Sequence, residues 1–267
     1  MKDILRQVLV LLSTIGVIVV NGLASTVRLN GQTTGDIADR FDVYFVPAGY
    51  VFAIWGVIYL ALIAYSIYQL LPSQRENPRQ RATGWLYVLS GVANVVWLFL
   101  WHYEYFAFSL VAMVALLLLL IAIYLRLGTG RTRVPAAETW FLRVPFSIYL
   151  GWITVATIAN ATSLLDYLGW DGWLLSAEAW AVIMLFAAAL IASAVSITRG
   201  DVAYVLVIVW AFIGIAVKHS DTALIAIVAG FLAGFVLATL LLGVPLSARQ
   251  GEMLPASAEK QTARDRW

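Results

Sequence analysis

Residues 105–125 read YFAFSLVAMVALLLLLIAIYL, without a charged side chain. A membrane-spanning β-strand needs only ~9–11 residues and alternates apolar with polar positions. This block is longer and does not alternate, so it reads as a helix crossing a bilayer. Comparable stretches recur on both sides of it, at 8–24, 50–70, 85–101, 144–165, 177–197, 202–217 and 222–243. The composition can supply that many. Hydrophobic residues are 62% of the 267 and mean hydropathy is +0.88, against ~45–50% apolar in a soluble domain. Charged residues are 12%, about half the ~25% of a soluble average. Each span takes ~20 residues. An ordinary soluble enzyme and a disordered chain are excluded. The net charge of +2 is too small to suggest a nucleic-acid partner, and the absence of cysteine rules out disulfides, thiolate metal sites and Cys nucleophiles.

The connecting segments test the span count. With eight spans and the N-terminus inside, only Arg28, Arg40 and Lys218 of the 17 basic residues fall outside. This is the bias of the positive-inside rule for both termini in the cytoplasm. The first stretch follows Lys2 and Arg6 as a signal peptide would. Its exit, Asn21-Gly22-Leu23-Ala24-Ser25, offers no small-x-small cleavage site, so it is read as a retained helix. The chain divides into a five-helix unit over 1–165, a three-helix extension over 166–245 and a disordered cytoplasmic tail over 246–267. Residues 25–49 form the longest external loop, either a lid or a solvated connector. Residues 71–84 and 126–139 read as polar turns. Gly230-Phe231-Leu232-Ala233-Gly234 lets another helix come close. It is read first as packing against span six or seven, where Ala211 and Gly214 could receive it, and second as a homodimer seam.

Several chemistries find no residues to carry them. The two histidines, His102 and His219, sit at span ends beside Glu104 and Asp221 and form no ligand cluster, so no metal is expected. Gly128-Thr129-Gly130 lacks the ending of a phosphate loop. No span places an ionisable residue near its centre, which weighs against ion-coupled transport. No nucleophile or acid–base pair is visible, so an enzyme is not expected.

Three helical faces carry aromatic and amide groups. Span two has Phe52, Trp55 and Tyr59. Span three has Asn94, Trp97 and Trp101. Span five has Tyr149, Trp152, Ala156 and Asn160. Spacings of three and four put each set on one face. At ~1.5 Å per residue, Trp55 lies ~8 Å, Tyr59 ~13 Å, Asn94 ~10 Å, Trp97 ~6 Å, Asn160 ~7 Å and Trp152 ~20 Å below the outer ends of their spans. Asn21 in span one is within ~5 Å of its own outer end. These groups cluster in the outer half, beneath the 25–49 loop. Two readings stand. One is an interfacial aromatic belt with ordinary helix packing, which accounts well for Trp85, Trp101, Trp140, Trp170 and Trp173. The other is a pocket with aromatic walls and a few orienting amides.

The same residues resemble the signatures of the TspO/MBR family, the tryptophan-rich sensory proteins and translocator proteins. The second helix opens Pro47-Ala48-Gly49-Tyr50-Val51-Phe52-Ala53-Ile54-Trp55 and continues to Tyr59. The third has Asn94-Val95-Val96-Trp97. The fifth has Tyr149, Trp152 and, eight residues on, Asn160. The likeness covers 8–165. Ala48 stands where the family has a second proline, Tyr50 where it has a tryptophan, and the 25–49 loop has no tryptophan. The last three spans look like those of longer bacterial relatives. The resemblance implies an all-α integral membrane protein with a pocket among helices one, two, three and five, lidded by the first loop. It implies a porphyrin-, tetrapyrrole- or sterol-like ligand, with no required cofactor. The resemblance carries Trp55, Tyr59, Asn94, Trp97, Tyr149, Trp152 and Asn160 into that pocket, and Asn21 joins them on depth. The expected protein is a sensor or receptor in the cell (plasma or inner) membrane, partnered by the bilayer and a hydrophobic small molecule. A secondary transporter is the alternative.

Overall fold

A computed structural model describes the backbone of residues 1–252 and the side chains of 1–243. The described residues are all helix and loop, without a strand. Eight long helices follow one another: α1 Lys2–Leu23, α2 Ile54–Leu70, α3 Pro78–His102, α4 Phe106–Leu127, α5 Val144–Tyr167, α6 Ala177–Arg199, α7 Val202–Lys218 and α8 Ala223–Glu252. Each expected span coincides with one of them. Seven have the length and apolarity to cross a membrane, and α7, with 17 residues, is shorter.

Two helices begin well before their apolar blocks. Helix α1 starts at Lys2, six residues before its apolar run, and α3 starts at Pro78, inside a segment expected to be a turn. Polar residues continue the backbone hydrogen bonding past the apolar block, and Asn77 caps α3 by accepting from the Arg79 amide at 2.9 Å. At the far end, α8 runs to Glu252, so 246–252 of the expected tail are helical. Residues 253–267 of that tail lie outside the described residues.

Packing is sequential. Helix α1 lies on α3 and α2, α3 on α4, and α4 on α5. Helix α5 touches α2 and α7, and α6, α7 and α8 pack on one another. Helix α7 therefore joins the last three helices to the first five. Close crossings use glycine. A Cβ on Gly91 would stand 2.1 Å from Ser13 Oγ on α1, and one on Gly214 would stand 2.1 Å from Val51 Cγ2. Gly214 thus receives the chain entering α2. The expected use of Gly230 and Gly234 inside the chain is not found. Both are exposed, and a Cβ on either would meet nothing within 4 Å. Their helix turns Ala229, Leu232, Ala233 and Val236 inward instead.

A polar seam runs between α1, α2, α3 and α5. Gln7 and Gln69 each donate from the side-chain amide to the other's backbone carbonyl. Thr14 is within hydrogen-bond distance of both Ser66 and Tyr87. Higher up, Asn21 donates to Asn94 at 2.8 Å, and Asn94 donates to the Tyr149 hydroxyl at 3.1 Å. Satisfying buried amides and hydroxyls within the bundle is what an apolar surround demands.

Candidate functional site

The loop between α1 and α2 is an ordered cap. It leaves α1 through a π-helical turn, Ala24–Arg28, and two residues with positive φ, Arg28 and Asn30. The Asn30 side chain then donates to the His102 carbonyl at the end of α3. A five-residue helix, Thr34–Ala38, follows. Its N-terminus carries a capping box in which Thr33 accepts from the Asp36 amide and Asp36 accepts from the Thr33 amide. The Thr33 amide foremost, and the Thr33 hydroxyl after it, hold the Asp36 carboxyl below its ordinary pKa. Ile37, Phe45 and Val46 are fully buried beneath the cap. Ion pairs tie its rim to two places, Arg40 to Glu104 at 2.9 Å and Asp39 to Lys218. The exit from the cap is fixed by α7, since the Ala48 amide donates to the Gly214 carbonyl and the Trp210 indole to the Val51 carbonyl, both at 3.1 Å.

Under this cap lies a cavity of about 50 Å³ between α2, α3 and α5. Its walls are aromatic. Trp55 meets Trp152 edge-on at 6.2 Å, Phe52 meets Trp152 edge-on at 5.7 Å, and Trp97 stacks on Trp101 at 6.2 Å. The loop contributes Thr34, Ala38, Val46 and Pro47. One side of the cavity is anchored by Asn160, which accepts from the Trp97 indole at 3.1 Å and donates to Ser109 at 3.2 Å. The Trp152 indole nitrogen is buried and has no hydrogen-bond partner among the described residues.

The eight residues expected at the site separate into three sets. Trp55, Trp97, Trp152 and Asn160 line the cavity. Tyr59 stacks on Trp55 at 5.6 Å, one turn deeper, outside the lining. Asn21, Asn94 and Tyr149 are spent on one another in the seam, with Tyr149 touching Trp55 only by its ring edge. Trp101, read from sequence as an interfacial anchor, is instead 4% exposed and lines the cavity. Its indole donates to the Thr34 carbonyl. Its +4 spacing from Trp97 was the signal for that, while position at a span end favoured the belt. Trp85, Trp140 and Trp173 are exposed, as anchors are. His102 is fully buried and its Nδ1 bonds the Leu98 carbonyl, leaving Glu104 to Arg40. Among the described residues no three His, Asp or Glu side chains gather as a metal site would need.

No ionisable side chain lines the cavity. What it can do chemically is stack flat apolar matter between indole rings and offer one buried N–H to an acceptor. Comparison with curated proteins and with solved structures finds no match. A family model described as TSPO-like protein matches residues 7–242, which takes in the last three helices as well as the five that carry the signatures. The chain belongs to the TSPO-like protein family.

Proposed function

We propose that this protein is a receptor-like binder of a flat hydrophobic small molecule, porphyrin-, tetrapyrrole- or sterol-like, in the aromatic cavity beneath the first loop. The observation that carries the reading is the Trp152 N–H, buried among indole walls without an acceptor. A buried donor left unpaired costs about 1–3 kcal/mol, and a ligand carbonyl, carboxylate or ring nitrogen would recover it. The cavity is far smaller than the ~300 Å³ at which small-molecule sites begin. Entry therefore requires the cap to lift and the Trp55 and Trp152 rings to turn. The cap's two rim ion pairs are partly exposed, and such pairs are worth ~0–1 kcal/mol, so lifting is cheap there. In the bilayer we place both termini on the basic, cytoplasmic side of the plasma membrane, with α7 crossing despite its length. The lack of any ionisable group in the cavity wall supports binding over ion-coupled transport and over catalysis.

The test is titration of detergent-solubilised protein with protoporphyrin IX, followed by tryptophan quenching. Saturable quenching is expected, with the midpoint raised about three- to tenfold in Trp152→Phe, the worth of one hydrogen bond. Trp85→Phe, on the exposed face of α3, serves as the control and keeps the wild-type midpoint. Equal and unsaturable quenching in all three proteins would sink the proposal.

A further inference from the structure

A second, larger space lies on the other side of α5. Helix α7 is pinned to the residues entering α2 near the outer end, where Tyr50 meets Trp210 edge-on at 5.4 Å. Towards the basic end, a groove of about 950 Å³ separates α2 from α7, with α5 as its floor. Ile54, Val57, Ile148, Leu206 and Trp210 make its walls apolar. Val57 and Leu206 are half exposed, so the groove opens sideways towards lipid. From Val202 to Trp210 the α7 wall rises ~12 Å, much of one leaflet's hydrocarbon depth.

The mouth of the groove is basic. Arg199 lies there, its guanidinium 5.8 Å above the Tyr124 ring and donating to the Thr129 carbonyl at 3.3 Å. Arg131 is exposed just beyond Gly130 of the groove wall, close enough to Arg199 for the two charges to repel. No carboxylate among the described residues pairs with either. Arg143 also lines the groove, its guanidinium donating to the carbonyls of Leu127 and Thr132. The one acid in the wall, Asp201, is turned into protein, where it accepts from Ser147 Oγ at 2.6 Å and from the Tyr204 amide at 3.1 Å. Burial raises its pKa above the ordinary carboxylate value. A basic mouth on an apolar lateral groove complements a lipid with a charged phosphate head and an acyl chain.

We propose that this groove seats one anionic phospholipid, its phosphate at Arg131 and Arg199 and an acyl chain along Val57, Leu206 and Trp210. The proposal rests on the chain spanning a bilayer and is independent of the aromatic cavity. Native mass spectrometry of protein offered equal phosphatidylglycerol and phosphatidylcholine tests it. One phosphatidylglycerol per chain is expected, retained about tenfold over phosphatidylcholine. The double variant Arg131→Gln/Arg199→Gln should lose the preference. Leu206→Trp fills the groove from its exposed face, so it should lose the lipid itself while keeping the wild-type porphyrin midpoint. That variant decides the matter if the double variant does not fold. Equal retention of the two lipids, retention unaffected by Leu206→Trp, or a second copy of the chain in place of lipid would each overturn the assignment.

Discussion

Asn94 and Trp97 stand one turn apart on α3, and the strips of interior they face behave differently. Asn94 closes a chain of buried side chains in which Asn21, Asn94 and Tyr149 bond one another at 2.8 and 3.1 Å. Trp97 faces a small cavity whose opposite wall, Trp152, holds an N–H with no partner. Both strips are buried, aromatic and polar, and both carry residues that the sequence reading assigned to one pocket. Satisfaction separates them. A buried polar group whose bonds are complete holds helices in register, whereas one left unpaired within a cavity is available to something else.

The largest expected effect breaks the seam. Asn94→Leu keeps the volume and removes both of its bonds, leaving the Asn21 amide and the Tyr149 hydroxyl to find new partners in an apolar surround. Seam bonds of this kind in membrane bundles average about 0.6 kcal/mol and reach about 1.7, and each buried partner left unpaired adds its desolvation cost, so a loss of about 2–3 kcal/mol is expected in reversible unfolding from mixed micelles. The porphyrin midpoint of the folded fraction should move less than it does in Trp152→Phe. An equal shift in the two variants would erase the distinction between seam and cavity.

A smaller effect separates two glycines, each inside an apolar helix. In Gly214→Ala the new methyl meets Val51 at 2.1 Å, so the residues entering α2 must shift, at about 1–2 kcal/mol. Gly230→Ala meets nothing and should gain about 0.5–1 kcal/mol from helix propensity alone. The same unfolding measurement checks both. A destabilised Gly230→Ala would mean that this face is packed, by a second chain or otherwise.

The helices were legible because a bilayer imposes a long, charge-free signal. Residues 105–125 could be read without knowing any neighbour, and all eight stretches became helices. The aromatic faces were legible too, because spacings of three and four survive any choice of partner helix. What could not be read was pairing across helices. Nothing in the chain around Asn94 says that Asn21, 73 residues away, points at it, nor that Trp101 turns under Thr34 rather than into the interface. The use of glycine failed for the same reason. Gly-x-x-x-Gly on α8 was visible as a motif but faces outward, while the isolated Gly214 makes the tight contact. Depth along a helix follows from counting residues; azimuth follows only from the fold.

The smallest effect concerns how the cavity is reached. If the cap is closed both before and after binding, its rim ion pairs break only in passage. Removing the exposed Arg40–Glu104 pair with Glu104→Gln should then raise the rates of porphyrin entry and exit together. A pair of this exposure is worth ~0–1 kcal/mol, which bounds the acceleration at about fivefold. Because the pair re-forms over the bound ligand, the ratio of the rates, and with it the affinity, should stay where it is. Asp39→Asn, which removes the pair with Lys218, should do the same. Stopped-flow quenching resolves the two rates. Added salt should speed the wild type towards the variants and leave the variants less changed, since it screens these partly exposed charges. Rates indifferent to both substitutions and to salt would mean that the ligand enters past α2 and α5 from the bilayer, with the cap standing still.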